Sequence, residues 1–283
     1  MSEGRKNHYI PVFYQKPWCG SDGRLCQYSR PRRTVRADKK FPTETGFERG
    51  LYTLKAHTKE VAEIIEDKLM RRTDNDAAIA HQLLLNDGVN KLDENTRSSW
   101  ARFIISLWRR TPEYYSGLGE RLTALIAREH PELRLDEEPK TEDEALGCIG
   151  LIERKRAMLL QTMFNSEMIG NHLINMNWST VRFDSSAGPF LTSDRPVVMS
   201  GAMLMPLAHI VVPISPNQCF VAVNTAETLN IFKEMPAEEF IDRTNDRMAC
   251  QARKFVYGLD DSHMEFVSER LGRMECAQPG DAA

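Results

Sequence analysis

The chain has 283 residues, of which 41% are hydrophobic and 27% are charged, and its formal net charge at pH 7 is −3. This length allows one large domain or two small ones with a sizeable core, and the charged fraction is ordinary for a soluble protein. The near-neutral balance argues against a strongly basic nucleic-acid-binding protein. No run approaches the roughly 18 apolar residues of a membrane span, and the N-terminus lacks the apolar stretch of a secretory signal.

The cysteines argue against a structural zinc site, because no two of them have the Cys-x-x-Cys spacing and no histidines cluster near them. Three of the six, at positions 148, 219 and 250, lie in apolar patterns and are expected to be small core residues. This cysteine usage predicts a reducing, cytoplasmic compartment. The six are Cys19, Cys26, Cys148, Cys219, Cys250 and Cys276.

Charge is unevenly distributed along the chain. Residues 1–40 contain ten Lys and Arg against three acids, whereas residues 132–144 contain seven acids against two bases. The first segment is interpreted as a solvated basic hairpin, or as a basic rim that attracts a phosphate-bearing ligand. The second is interpreted as a solvated acidic loop.

The N-terminal part is predicted to be extended. Residues 7–14 are rich in aromatic and β-branched types, and Pro11 excludes a central position in a sheet. A turn and a short strand follow over residues 20–28, and residues 34–41 form a further strand or arm. Residues 47–54 lead into a helix.

The middle of the chain is predicted to be helical. A helix begins near Thr58, and the polar run at residues 73–76 is expected to interrupt it and cap a second helix. The next helix, after residues 92–96, has the clearest apolar period, and Pro112 begins another that runs to about Glu129 with Thr111 as its N-cap. The apolar residues that define the clearest helix are Trp100, Phe103, Ile104, Leu107 and Trp108.

After the acidic loop, residues 141–144 match a capping box. They begin one long helix, bent near a glycine, that continues to about Asn175. A set of apolar residues is expected to mark its buried side. These residues are Met158, Leu159, Met163, Met168, Ile169 and Leu173.

The C-terminal part returns to strands. Residues 178–183, 190–192 and 197–199 are predicted strands, and residues 209–213 and 219–224 form an antiparallel pair. Residues 226–233 and 236–254 are predicted helices, and residues 255–258 close the sheet or cap the helix. We expect one α+β domain over residues 1–275, with an extended segment at 7–54, a helical section at 58–175 and a sheet-and-helix section at 178–258. Residues 276–283 are expected to form a disordered tail.

Five short motifs occur in an order that resembles one family, mostly bacterial, which is catalogued as domain of unknown function 4238. The resemblance covers nearly the whole chain and implies no established activity. Arg195 stands where many members carry Asn. The motifs are Asn7-His8-Tyr9-Ile10-Pro11, the helix from Arg97 to Arg110-Thr111-Pro112, Phe190-Leu191-Thr192-Ser193-Asp194-Arg195-Pro196-Val197, Val212-Pro213-Ile214-Ser215-Pro216, and the stretch from Asn245 through Ala252 to Phe255-Val256-Tyr257.

The motif residues predict a polar site. His8 could move a proton near neutral pH, and Asp194 could orient it. Ser193 could act as a nucleophile if His8 reaches it, although 185 positions separate the two. Arg110 could bind a carboxylate or phosphate through two hydrogen bonds, with Arg195 and Asn245 as further substrate-binding residues.

Each of these residues also has a structural interpretation. Ser193 and Asp194 are typical turn residues that bond nearby backbone N–H groups. His8 could bond a backbone carbonyl, and Arg110 could cap the end of its helix. Asn245 could hold a loop in place.

Two further functions are considered. A metal-dependent phosphodiesterase would need carboxylates from distant segments, such as Asp184 and Asp194, because Glu153 and Lys155 lie in a predicted helix face and no metal or phosphate-loop motif is present. A binding module would use the basic N-terminal residues and their interleaved aromatic residues to contact nucleic acid, unless those aromatic residues are core.

The sequence therefore predicts an α+β fold in which N-terminal strands join a C-terminal antiparallel sheet and bring His8 towards Asp194. The leading functional hypothesis is a hydrolase that acts on a phosphoester or nucleic acid. The alternative is a non-catalytic module that binds a ligand or nucleic acid. No cofactor is predicted, a divalent metal ion stays open, and the sequence does not indicate an oligomeric state.

Overall fold

A computed structural model describes residues 6–51, 70–129, 152, 155–156, 158–200 and 202–273. Several sequence-based expectations concern residues outside these ranges. They are the helix start near Thr58, the acidic loop at residues 132–144, the capping box at residues 141–144, Cys148, Glu153, Cys276 and the C-terminal tail.

The N-terminal segment consists of short strands around two helical turns. The prediction of an extended chain over residues 7–14 is wrong beyond Pro11, because a helix begins at Val12. The helix and the 3-10 turn after it direct two side chains towards the core: Tyr14 donates to the Pro213 carbonyl at 2.6 Å, and Trp18 donates to the Phe190 carbonyl at 2.8 Å. The elements are β1 (Lys6–His8), α1 (Val12–Gln15), a 3-10 turn (Lys16–Trp18), β2 (Leu25–Ser29), β3 (Arg36–Lys40), a 3-10 turn (Pro42–Glu44) and β4 (Phe47–Arg49).

Residues 47–49 lie within the segment predicted to be extended, and they form β4, which pairs antiparallel with β1. The strands predicted after Gly20 and Thr34 are confirmed as β2 and β3, which pair with each other. The buried aromatic residues of this segment, including Tyr9, Tyr14 and Trp18, belong to the core. They do not form a stacking surface for bases.

The middle of the chain is helical, as predicted. Asp93 caps its helix by accepting from the Thr96 N–H at 2.8 Å, and the next helix begins at Pro112. Residues 73–76 do not interrupt their helix, and the last helix begins anew with Ser166 as N-cap instead of continuing unbroken. The elements are α2 (Arg71–Asn86), α3 (Glu94–Arg109), α4 (Pro112–Glu129), helical residues 158–164 and α5 (Glu167–Asn175).

Two four-stranded antiparallel sheets contain most of the remaining strands. One has the order β5-β9-β8-β7, and the other has the order β3-β2-β10-β6, so N-terminal strands do pair with a C-terminal strand. Residues 264–270 form a helix that the sequence analysis does not predict. The elements are β5 (Asn177–Arg182), β6 (Thr192–Ser193), β7 (Val198–Ser200), β8 (His209–Ser215), β9 (Gln218–Val223), α6 (Ala226–Glu234), α7 (Ala237–Gln251), β10 (Phe255–Gly258) and α8 (Met264–Arg270).

The main core lies between α2, α3 and the sheet that contains β8 and β9. Trp100 contacts the Phe220 ring edge-on and stacks parallel to His81. Burial lowers the pKa of His81 to about 4, so this histidine is a neutral core residue bonded to the Ile214 carbonyl. The fold is α+β, as predicted. Met158 and Met168 are exposed, so the prediction that they mark a buried face is wrong.

Within the described ranges, none of the helices combines the length and the hydropathy that a membrane span requires.

Candidate functional site

The strongest sequence motif forms a buried turn at the end of β6. The Asp194 carboxylate accepts three backbone N–H bonds: Oδ1 from Arg253 at 2.9 Å, and Oδ2 from Lys254 at 2.7 Å and Phe255 at 3.1 Å. The Asp194 N–H donates to the Phe255 carbonyl at 3.0 Å. Asp194 therefore fixes the tip of β6 to the turn that connects α7 with β10.

The neighbours of Asp194 are equally committed to backbone contacts. Ser193 Oγ accepts from the Arg195 N–H at 3.1 Å and lies 3.2 Å from the Met248 sulfur. Asn245 accepts from the Leu191 N–H at 2.7 Å and donates to the carbonyl of residue 189 at 3.0 Å. These contacts match the structural interpretation of the turn.

Burial raises the pKa of Asp194 to about 6, and the three N–H bonds oppose this rise. The carboxylate of Glu113, at the start of α4, adds a smaller effect in the same direction as burial. Glu113 bridges two basic residues: its Oε1 lies 2.7 Å from Arg253 Nε, and its Oε2 lies 3.9 Å from Arg195 Nη2. Arg195 thus links the turn to α4.

Arg110 occupies the C-cap position of α3, and its side chain is fully buried. Its Nη1 donates to Asp74 Oδ1 in α2 at 2.7 Å, and its guanidinium lies 5.3 Å from the centre of the Phe103 ring. Nε and Nη2 are buried and donate no hydrogen bond to any residue that the structure describes. These two N–H groups lie on the same side of the planar guanidinium, which is the side that binds an oxyanion through two bonds.

The Asp74 carboxylate is 22% exposed, so it holds Arg110 from the solvent side of the pair. Burial raises the pKa of Asp74, and the adjacent guanidinium acts against this rise. One carboxylate oxygen and one guanidinium nitrogen form this contact, which leaves most donors of the guanidinium for another group. The sequence analysis did not identify Asp74, whose only signal is an acidic residue within a helical apolar pattern.

His8 lies at the end of β1 with its ring 5.5 Å from the Phe47 ring. Its Nε2 is buried and has no hydrogen bond to the described residues. Burial lowers the pKa of His8, the Lys6 and Arg110 charges lower it further, and a bond to the Thr43 backbone opposes them.

The structure places the predicted site residues in two groups. One contains His8 and Arg110, and the other contains the turn residues Ser193, Asp194 and Arg195 together with Asn245. His8 and Arg110 are close enough for their charges to interact, whereas no hydrogen bond joins His8 to Ser193 or Asp194 in the described residues. A serine nucleophile requires such a bond to its base, and Ser193 is fully buried. Tyr9, the neighbour of His8 in the chain, lies within electrostatic range of Asp194.

A cleft and a groove in the described part of the chain lie outside these groups. A cleft of about 720 Å³ between β4 and α4 includes Glu48, Pro112 and Tyr115, and begins two residues after Arg110. A groove of about 890 Å³ lies between the β7–β8 edge and helices α6 to α8. At the groove, His209 Nδ1 lies 2.8 Å from Ser200 Oγ, a cross-strand pair that no sequence motif indicated.

The described residues contain no group of three or more His, Cys, Asp or Glu side chains placed to hold a metal ion. Asp184 and Asp194, which the sequence analysis considered as ligands, differ in environment: Asp184 is exposed, and both oxygens of Asp194 are bonded to backbone.

Comparison with known proteins gives one match. The family model described as Protein of unknown function (DUF4238) matches residues 6–262. No curated protein matches the chain. No solved structure matches it either.

Proposed function

This chain belongs to the family described as Protein of unknown function (DUF4238), and that description assigns no activity. From the geometry of the site, we propose that the protein binds a ligand that carries a phosphoryl or carboxylate group. Arg110 is the residue that binds this group. The supporting observation is that Nε and Nη2 of this fully buried guanidinium have no hydrogen-bond partner in the part of the chain that the structure describes.

A buried cation without full hydrogen bonding costs free energy, so this arrangement needs a compensating role. Asp74 satisfies one nitrogen and fixes the plane of the guanidinium. The remaining side presents two parallel N–H donors, the geometry that matches two oxygens of one phosphate or carboxylate. His8 lies close enough to Arg110 for the charge of the guanidinium to lower the pKa of the imidazole.

A phosphoester or a nucleic acid is the ligand class that we propose. Besides Arg110, the turn and edge strand of the N-terminal sheet expose Arg32, Arg33 and Arg36, which favour polyanions over neutral ligands. The described cysteines, Cys19, Cys26, Cys219 and Cys250, are free thiols, which supports a reducing compartment such as the cytoplasm.

We expect Arg110→Lys to weaken phosphate-ester binding at least about tenfold, since lysine keeps the charge but lacks the planar pair of donors. Isothermal titration with inorganic phosphate, nucleoside mono- and diphosphates and short single-stranded RNA measures the effect. Arg243→Lys is the matched control, because Arg243 is exposed and forms an ion pair with Glu239 in its own helix. If Arg110→Lys binds every ligand as the wild type does, Arg110 is not the binding residue.

Hydrolysis of the bound phosphoester is the second candidate. His8 Nε2, which has no hydrogen-bond partner among the described residues, could accept a proton from an attacking water near the Arg110 guanidinium. We expect His8→Gln to retain binding within about threefold and to lose at least about a hundredfold in turnover. The measurement is product release from the ligands that bind, with and without a divalent metal ion. Binding without turnover in the wild-type protein would leave the binding function alone.

A further inference from the structure

The 720 Å³ cleft between β4 and α4 adjoins the Arg110 site along both of its walls. On one wall, the ring of Phe47 in β4 lies 5.5 Å from the His8 ring, and the next four residues, 48–51, line the cleft. On the other wall, Arg110 caps α3, and Pro112 begins α4 and lines the cleft. A ligand whose phosphoryl group is bound by Arg110 can therefore extend into the cleft.

One face of α4 forms a long side of this cleft. Tyr115, Gly119 and Thr123 follow one another at intervals of four residues, so they lie along the same face of the helix, and all three line the cleft. The volume of the cleft is in the range that small-molecule sites occupy. It can hold a ring system with a sugar attached.

Arg156 lies on this face of α4. Its Cζ is 4.5 Å from the centre of the Tyr115 ring. A Cβ atom at Gly119 would overlap Nη2 and Cζ of Arg156 and would lie 2.9 Å from Nε. Glycine is disfavoured relative to alanine in a helix interior, yet at this buried position its missing side chain is what gives the guanidinium its place.

The Tyr115 ring and the Arg156 guanidinium form a platform for a further planar group. The tyrosine is only 4% exposed, whereas Arg156 is half-buried and lines the cleft. A planar guanidinium held over an aromatic ring can stack a nucleobase on its other face. The lining also contains Glu48, Arg49 and Glu120, so charge does not select the ligand, and the stacking surface does.

We propose, resting on the anion-binding function above, that the ligand is a nucleotide whose phosphate is bound by Arg110 and whose base stacks on Arg156 in the cleft. The hydroxyl groups of Ser116 and Thr123 line the same cleft and can bond the sugar. Every base has a π face, so the platform accepts all four bases and defines the ligand as a nucleotide without selecting one base.

Isothermal titration with the four ribonucleoside 5′-monophosphates and with ribose 5-phosphate tests the proposal. We expect each nucleotide to bind at least about tenfold more tightly than ribose 5-phosphate, which carries the same phosphate and sugar without the base. Gly119→Ala should remove this difference, because the new methyl group displaces the Arg156 guanidinium. The affinity for ribose 5-phosphate should stay within about twofold of the wild-type value, because Arg110 is unchanged.

Arg156→Lys is the second variant, since lysine keeps the charge but has no planar group to stack on. It should lose the preference for nucleotides as Gly119→Ala does. If Arg156 instead paired with the phosphate, the affinity for ribose 5-phosphate would fall in both variants, and the stacking proposal would be wrong.

Gly170→Ala is the matched control, because Gly170 also lies in a helix, α5, but a Cβ atom there meets no atom within 4 Å. It should bind every ligand as the wild type does. Nucleotides that bind no more tightly than ribose 5-phosphate, or variants at Gly119 and Arg156 that keep the wild-type preference, would overturn the proposal and leave the anion site in place. A wild type that binds none of these ligands would overturn the anion site as well.

Discussion

Asp194→Ala is expected to lower the free energy of unfolding by roughly 3 kcal/mol, the cost of removing a buried charged acceptor from three backbone donors. The N–H groups of Arg253, Lys254 and Phe255 would lose their only described side-chain acceptor. Loss of the turn would also weaken the pairing of β6 with β10. Urea denaturation measures this change in the free energy of unfolding. The change should be smaller than the sum of three hydrogen bonds, because the substitution also removes the cost of burying a charge.

Asp194→Asn should be nearly as destabilising as Asp194→Ala, because the amide NH₂ would replace one acceptor oxygen and face a backbone donor. Asp38→Ala is the matched control: Asp38 is an exposed aspartate on β3 and should leave the unfolding curve unchanged. A fully stable Asp194→Asn protein would show that the turn does not depend on the second oxygen. A catalytic role alone would produce that result.

The stability difference between wild type and Asp194→Asn should depend on pH. The pKa of Asp194 is raised to about 6 in the folded protein from an ordinary value of 3.8. Between these values the folded carboxyl holds a proton that the unfolded carboxyl has released, so its contribution to stability increases as the pH falls from about 7 to about 4. The difference should therefore widen on acidification. A difference that narrows would mean that the three N–H bonds outweigh burial.

The secondary structure was predictable where the pattern is local. The apolar period from Trp100 to Trp108 determines α3, and the alternating and β-branched residues of β8 and β9 determine their pairing. The helix after Pro11 was not predictable, because it forms to bring Tyr14 and Trp18 to acceptors nearly 200 and more than 170 positions away. Local propensity carries no information about such partners.

The site was predictable only as a set of residue types. The sequence marks Asp194 as important but allows both a turn and a catalytic carboxylate, and the choice depends on backbone groups about 60 positions later. The sequence analysis predicted Arg110 as an anion-binding residue. The feature that supports this prediction is that Nε and Nη2 of its guanidinium have no hydrogen-bond partner among the described residues. That feature follows from the position of Asp74, 36 residues earlier in the chain.

Removing Asp74 should lower the free energy of unfolding by more than removing its partner Arg110 does. Asp74→Ala leaves a fully buried guanidinium without its carboxylate, and we expect a loss of roughly 3–5 kcal/mol in the free energy of unfolding. Arg110→Met should cost less, because the Asp74 side chain is 22% exposed and can turn towards water. The double variant Arg110→Met/Asp74→Leu should recover most of the loss, since an apolar pair often replaces a buried ion pair without penalty.

The two single variants and the double variant together separate a role of the ion pair in stability from a role in ligand binding. If the ion pair serves only the fold, the double variant should behave as the wild type does in every assay. If the pair is retained for a ligand, inorganic phosphate or a nucleotide should raise the melting temperature of the wild type and leave that of the double variant unchanged, because only a protein that binds the ligand is stabilised by it. A phosphate-dependent shift of equal size in both proteins would place the binding group elsewhere. A stable double variant without the shift would show that the buried charge is kept for the oxyanion.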